Sequence, residues 1–125
     1  MAPRLMTQER RKAPRIAERI TLAVTDDKAT LQTETKNLSA SGAYCLLDQF
    51  VAPMTKLQLQ FELPGGLRRT KIRCSGVVVR VEPIVTEAVH GRYHVAIFFT
   101  DLSDRDRAMI SRFVTRRLAD GSAPS

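Results

Sequence analysis

The sequence predicts a mainly β domain, a six-stranded antiparallel β-barrel with one C-terminal α-helix. Three observations support this fold class: short runs in which apolar and polar residues alternate, turn residues between those runs, and one stretch of helical periodicity near the C-terminus. A chain of 125 residues, 43% of them hydrophobic, is sufficient for one domain with a core. We therefore expect a flexible basic arm at 1–18, one domain at 19–120 and a disordered tail at 121–125.

The first half of the chain contains three predicted strands. Alternating apolar residues at 20–25 indicate the first strand, which the turn residues Asp26 and Asp27 end. A second run, at 31–36, alternates in the same way. After a turn-rich break at 37–42, a short apolar run at 43–47 predicts the third strand.

The second half contains three more predicted strands. The run at 56–63 alternates most regularly, and the Pro-Gly-Gly sequence at 64–66 predicts the turn that follows it. The next strand is predicted at 68–82. The last strand is predicted at 93–99, with Phe98 as the one large residue on the opposite face.

The fifth predicted strand, 68–82, contains an irregularity. Its first apolar residues occupy even positions, whereas Val77, Val79 and Val81 occupy odd ones. Because side chains alternate between the two faces of a strand, we expect a bulge or sharp bend near Gly76 that brings both sets to the core.

Helical periodicity is confined to the C-terminal part of the chain. Ser103 followed by Asp106 matches the start of a capping box, and Arg116 and Arg117 suit the last turn before Gly121 because cations are favourable near a helix C-terminus. The apolar stripe expected to face the core consists of Ile110, Phe113, Val114 and Leu118.

The chain is basic, with 20 Lys and Arg residues against 13 Asp and Glu residues, and 15 of the 20 are arginines. Arginine presents a planar fork of donors that suits phosphate and guanine. No apolar run approaches the ~20 residues of a membrane-spanning helix, and residues 1–19 carry charges instead of an apolar signal segment. We expect a cytoplasmic protein without membrane insertion, with Cys45 and Cys74 as buried thiols.

Residues with catalytic or metal-binding chemistry are few. His90 and His94 are the only histidines, and because they flank Gly91 at the start of a strand, their spacing of four does not reliably place both on one face. Asp101, Asp104 and Asp106 lie at the start of the helix, where carboxylates cap backbone amides and oppose the helix dipole. We therefore expect no enzymatic activity, no metal site and no cofactor.

Two polar clusters remain. In the first, RRKAPR at 10–15, Arg11 and Arg15 are four positions apart and Pro14 favours an extended backbone. The second is Asn-x-Ser-x-x-Gly at 37–42, where the glycine permits positive φ or a close backbone approach. Each pattern is common alone, but the two in this order on a basic β-barrel are specific.

In these motifs the chain resembles the PilZ family, whose hallmark is R-x-x-x-R before the first strand and [D/N]-x-S-x-x-G between the second and third. The likeness extends over about residues 9–118, including the segments 76–80 and 93–99. Ala96 is a departure, since the family often has glycine there, and we expect its methyl group to concern packing more than ligand binding. The resemblance implies a split β-barrel of the stand-alone type that binds cyclic di-GMP, a bacterial second messenger.

The resemblance also implies the ligand-binding residues, which are Arg10, Arg11, Arg15, Asn37, Ser39 and Gly42. Arg11 and Arg15 would clamp phosphates and guanine edges, while the polar turn would hold a guanine against the barrel. Arg10 is a further guanidinium for a second nucleotide, so that one ligand and a stacked dimer both fit. Ligand binding would order the arm and present a surface to a downstream protein partner, whose identity the sequence leaves open.

Two other functions fit the same sequence. A PilZ fold without ligand binding would act only as a protein adaptor. A basic small barrel would also suit nucleic acid, but such modules usually carry aromatic platforms, and here the aromatic content is 6% with no tryptophan. We therefore do not expect nucleic acid as the partner.

Overall fold

The structure, a computed structural model, describes residues 14–65, 69–85 and 91–120. Within these ranges the chain forms six strands and one helix: β1 (Thr21–Thr25), β2 (Thr30–Leu38), β3 (Gly42–Leu47), β4 (Lys56–Leu63), β5 (Thr70–Ile84), β6 (Arg92–Phe99) and α1 (Asp104–Ala119). The strands close into an antiparallel barrel in the order β1-β2-β3-β6-β5-β4. The predicted fold class is confirmed. The predicted tail and residues 1–13 of the predicted arm lie outside the described residues.

Closure of the barrel depends on two strand pairs that are distant in sequence. After β3 the chain crosses over residues 48–55, and β4 then pairs with β1. β3 itself pairs with β6, the last strand. β5 is the longest strand, with 15 residues, and pairs with β4 through its first half and with β6 through its second.

The core lies inside the barrel and is formed by alternate residues of each strand. β4 shows the alternation most regularly, because every second residue from Leu57 to Leu63 is buried and the others are exposed. Across the interior, the rings of Phe61 and Phe99 lie 6.0 Å apart at an interplanar angle of 24°. Burial of each such large apolar side chain stabilises the fold by about 1.5–3 kcal/mol.

Both cysteines are free thiols on buried strands, as the sequence predicts. Burial raises the pKa of Cys45 to about 12. The pKa of Cys74 is also raised to about 12, mainly by burial and further by the charges of Asp101 and Asp106. Since the thiolate is the reactive form, neither cysteine is primed for chemistry at neutral pH.

The irregularity in β5 exists, but it lies further along the strand than predicted. The pairing with β6 is regular up to Val78 and shifts between Val78 and Arg80. Val78 is therefore buried and Val79 exposed, which corrects the expectation that Val77 and Val79 face the core. Gly76 instead continues the buried even-numbered face, where Ile97 and Leu59 leave no room for a side chain.

Helix α1 begins as predicted and ends one residue before Asp120, its C-terminal cap. The Ser103 side chain accepts a hydrogen bond from the Asp106 amide at 3.0 Å. Ile110, Phe113 and Val114 join the core, but Leu118 is 37% exposed, so the predicted apolar stripe is one residue too long. In the described part of the chain no helix is long and apolar enough to cross a membrane.

We predict that Gly42→Ala destabilises the fold by more than about 3 kcal/mol, whereas Gly76→Ala costs about 1–3 kcal/mol. A Cβ atom at Gly42 would lie 2.3 Å from the backbone oxygen of Ile97, which cannot move away without breaking the β3–β6 pairing. At Gly76 the nearest atoms are side-chain tips of Ile97 and Leu59, at 2.6 and 2.9 Å. Urea unfolding of both variants measures the difference, and equal losses would contradict the distinction.

Candidate functional site

The predicted polar turn is a tight connection between β2 and β3. Ser39 is fully buried, and its Oγ accepts a hydrogen bond from the Ser41 amide at 3.1 Å. The Ser39 amide donates to the Gly42 carbonyl at 2.9 Å. The side chain of Ser39 thus shapes the turn from inside.

The predicted break at 37–42 implied that Asn37 lies in the turn. It does not, because β2 continues to Leu38. The pairing of β2 with β3 shifts between Thr35 and Asn37. This irregularity changes the parity of the strand, so that Thr35 and Leu38 are both buried and Asn37 is left on the outer face, opposite Tyr44.

The segment before β1 docks on the end of β2. Ile16 is buried and exchanges two backbone hydrogen bonds with Leu38, at 3.0 and 2.9 Å. The buried Thr35 hydroxyl accepts from the Ile20 amide and donates to the Glu18 carbonyl, at 3.0 and 2.6 Å. These contacts bring Arg15 to the surface beside the end of β2.

Arg15 and Asn37, 22 positions apart in sequence, form a direct contact. Nη1 of Arg15 donates a hydrogen bond to Oδ1 of Asn37 at 2.7 Å. Both residues line a groove of about 330 Å³ on the outer face of the barrel, together with Ser41 and Gly42. Arg15, the described arginine of the first motif, therefore meets the second motif at one surface depression.

The floor of this groove follows a single row of strand positions. Asn37 on β2 pairs with Tyr44 on β3, Tyr44 with Ala96 on β6, and Ala96 with Arg80 on β5. Three strand spacings of about 4.8 Å separate the ends of the row, so the path along the barrel surface from Asn37 to Arg80 is about 14 Å long. The groove thus has a guanidinium near each end and a small residue between Tyr44 and Arg80.

An apolar wall borders this row. Val79 and Phe98 line the groove, and their side chains are 54% and 50% exposed. The shifted pairing in β5 exposes Val79, and the regular alternation of β6 exposes Phe98, as predicted. Exposed apolar side chains beside guanidinium groups suit a ligand that has both flat bases and phosphates.

Tyr44 belongs to a small polar cluster at the edge of the groove. Its hydroxyl donates to Oε1 of Glu82 at 3.1 Å, and Glu82 lies 3.8 Å from Arg80. The Tyr44 ring stacks on His94, with centroids 5.4 Å apart at 3°. Partial burial, and then the hydrogen bond to Glu82, raise the pKa of Tyr44, so the phenol stays protonated at neutral pH.

The predicted site residues have different positions in the structure. Arg15, Asn37 and Gly42 line the groove, whereas Ser39 is buried beneath it. Arg10 and Arg11 lie outside the described residues, as does His90.

Sequence reasoning gave no site role to most of the groove lining, including Tyr44, Val79, Arg80, Ala96 and Phe98. The alternation of β3 would have placed Tyr44 on the outer face, but the row that joins it to Arg80 depends on a β3–β6 pairing that no local pattern encodes. Ala96 also lines the groove, and the expectation that its methyl group concerns packing more than ligand binding stays a prediction.

The acidic residues near α1 occupy structural positions. Asp101 accepts a hydrogen bond from the Ser75 amide of β5, so it holds a strand instead of capping the helix. Asp104 and Asp106 lie in the first turn of α1, as expected. Among the described residues, no group of three or more His, Cys, Asp and Glu side chains could hold a metal ion.

Comparison with known proteins gives a family match. The sequence model of the PilZ domain matches residues 9–116. No curated protein matches the chain significantly.

Several solved structures share the fold. The inhibitor of motility of Bacillus subtilis (MotI/DgrA) has 17% identity and a TM-score of 0.79, over 90% of this chain and 53% of its own. The PilZ domain of YcgR from Escherichia coli, solved with c-di-GMP, has 16% identity and a TM-score of 0.65, over 93% and 98%. MrkH of K. pneumonia, in its c-di-GMP complex, has 16% identity and a TM-score of 0.70, over 92% and 54%. The chain therefore spans about half the length of the first and third of these proteins.

We predict that Ser39→Ala destabilises the fold by about 1–3 kcal/mol, because it removes the acceptor of the Ser41 amide inside the turn. Ser41→Ala is the matched control. The Ser41 hydroxyl contacts only Oγ of Ser39, at 3.0 Å, so its loss costs less than about 1 kcal/mol. Thermal unfolding of both variants checks the order, and a larger loss for Ser41→Ala would contradict it.

Proposed function

The chain belongs to the PilZ domain family, and on that basis we propose that it is a receptor for cyclic di-GMP, which it binds between its N-terminal arginines and the segment from Asn37 to Gly42. The observation that carries this proposal is the contact between Arg15 and Asn37 at the groove. Two of the structural neighbours, the YcgR domain and MrkH, were solved with c-di-GMP, which supports the choice of ligand.

The chemistry of the groove fits a cyclic dinucleotide. Arg15 has guanidinium donors for a phosphate or for O6 and N7 of guanine, and Asn37 has both an acceptor and donors for a base edge. Arg80 adds a second cation at the far end of the row. Arg15 donates to Asn37 and Arg80 lies near Glu82, so both cations have exposed local partners that a phosphate would replace.

The apolar wall and Ala96 determine how a base can lie in the groove. A guanine placed over Ala96 would contact Phe98 and Val79 on one side and Tyr44 on the other. Because Ala96 is small, the floor between Tyr44 and Arg80 stays open to a flat ring. In this proposal Ala96 is part of the ligand site, in addition to the six residues that the family resemblance implies.

Helix α1 is attached to both sides of the proposed site. Nη1 of Arg107 donates to the Ala40 carbonyl in the turn at 3.2 Å. Arg117 pairs with Glu18, in the segment that carries Arg15, at 3.1 Å. We propose that ligand binding, by ordering the arginine segment and the turn together, is transmitted to α1 and from there to a protein partner.

One observation favours a second function, that of a PilZ adaptor without a ligand. Ser39 shapes the turn from a buried position, and Gly42 is required by the backbone of Ile97. Both residues would be needed in this fold even if no nucleotide bound. The proposal of a receptor therefore depends on the arginines and Asn37, and it includes no catalytic step. We place this receptor in the bacterial cytoplasm, where the second messenger acts.

We predict that Arg15→Ala and Arg11→Ala each raise the Kd for cyclic di-GMP by roughly 10- to 150-fold, because each loses charge-assisted contacts of about 1.5–3 kcal/mol. Arg15 is exposed and contributes nothing to the core, so the fold should be unchanged. Isothermal titration calorimetry gives the Kd, with Arg73→Ala on the exposed face of β5 as the control. Absence of binding by the wild-type chain would support the adaptor, and wild-type affinity in either variant would refute the site.

The number of bound nucleotides gives a separate prediction. If Arg10 stacks on an outer guanine, it contributes about 1–2 kcal/mol by cation–π contact and favours two ligands per chain. We predict a molar ratio near two that falls toward one in Arg10→Leu. Arg4→Leu, in the same segment, is the matched control. An unchanged ratio in Arg10→Leu would show that Arg10 does not contact the ligand.

A further inference from the structure

The outer face of α1 carries exposed arginines beside a shallow hollow. The helix contains five arginines and two aspartates. Arg107 and Arg117 turn toward the barrel, where they bind the turn and Glu18. Arg112 and Arg116 are exposed and four positions apart, so they lie on one face, one turn from each other.

Small side chains surround these two arginines. The exposed residues between and beside them are Ala108, Ser111, Thr115 and Ala119. Together with Arg112 and Arg116 they line a shallow hollow of about 530 Å³. From the first to the last of these residues the hollow follows three turns of the helix, a length of about 16 Å.

The two arginines have no carboxylate within reach in the part of the chain that the structure describes. The side chain of Arg112 contacts only Sδ of Met109, at 3.9 Å. Arg116 forms no ion pair among the described residues. Arg116 lies in the last turn, where its charge interacts favourably with the helix dipole, and its guanidinium donors still face solvent.

We propose that this face of α1 is the docking surface for an acidic α-helix of a partner protein. The small side chains allow the ridge of a second helix to approach closely. Two guanidinium groups one turn apart match carboxylates at positions i and i+4 of the incoming helix. The charge of this face thus favours an acidic partner, and the hollow favours a helical one.

A membrane or a nucleic acid fits this face less well. The hollow presents no large apolar side chain that could enter a bilayer, and Leu118 of α1, which does not line it, is 37% exposed. Protein surfaces that bind nucleic acid neutralise many phosphates and stack bases on aromatic rings. This hollow offers two guanidinium groups and no aromatic residue.

The experiment uses the full chain and a defined probe. The probe is a synthetic alanine-based helical peptide of the same length as α1, with glutamates at i, i+4 and i+7, and its control has the same composition with the glutamates distributed around the helix. Each is titrated into isotope-labelled protein without nucleotide, and amide shifts are followed by NMR. We expect shifts confined to α1 with the first peptide and at least tenfold weaker binding of the control peptide.

Variants test the two arginines directly. Arg112→Gln with Arg116→Gln should weaken binding of the probe at least tenfold. The matched control, Lys56→Gln with Arg73→Gln, removes the same charge from exposed positions on β4 and β5 and should leave the affinity unchanged. Equal losses in both double variants, equal binding of both peptides, or displacement of the probe by a DNA duplex or by phosphatidylglycerol vesicles would overturn the proposal.

A second titration, with saturating cyclic di-GMP, tests the link to ligand binding, which rests on the proposed function. The affinity for the probe should change several-fold in the wild-type chain and not in Arg107→Ala, which lacks the contact with the turn. An unchanged wild-type affinity would refute the link but leave the docking face intact. Failure of the nucleotide to bind in calorimetry would refute the receptor instead, so the failures are distinguishable.

Discussion

The close approach of β3 to β6 at Gly42 is the constraint on which the rest of the barrel depends. A Cβ atom at this position would lie 2.3 Å from the Ile97 carbonyl oxygen, so the two strands can pair here only through a residue without a side chain. This pairing joins the third strand to the sixth and fixes the register from Gly42–Phe98 to Leu47–Tyr93. Every position on the outer face of β3 and β6 follows from that register.

The groove is a consequence of the same register. Tyr44 is set opposite Ala96, and β5 then places Arg80 on the other side of Ala96. Two irregularities in strand pairing determine the other groove positions: the one in β2 turns Asn37 outward, and the one in β5 exposes Val79. The site is therefore assembled from four strands, and only its first end, Arg15 with Asn37, comes from the two motifs that are recognisable in the sequence.

This division explains how much could be predicted from the sequence. The alternation in β4 and the cap at Ser103 depend on neighbouring residues, and both were predicted correctly. The position of the β5 bulge was wrong because the sequence offers three successive valines after Gly76, and only the partner strand decides which of them faces inward. Tyr44 and Arg80 were missed for the same reason, since their proximity depends on long-range pairing.

The Asn-x-Ser-x-x-Gly motif at 37–42 therefore says less about ligand binding than its agreement with the family hallmark suggests. Ser39 and Gly42 each have a sufficient structural role, one inside the turn and one against the Ile97 backbone. Asn37 has no such role, because it is partly exposed on the outer face and its side chain accepts a hydrogen bond from the exposed Arg15. A chain that kept the fold but lost the ligand would be free to change Arg15 and Asn37 while keeping the other two. The presence of all four here argues for a receptor, and the argument rests on the two residues that the fold does not require.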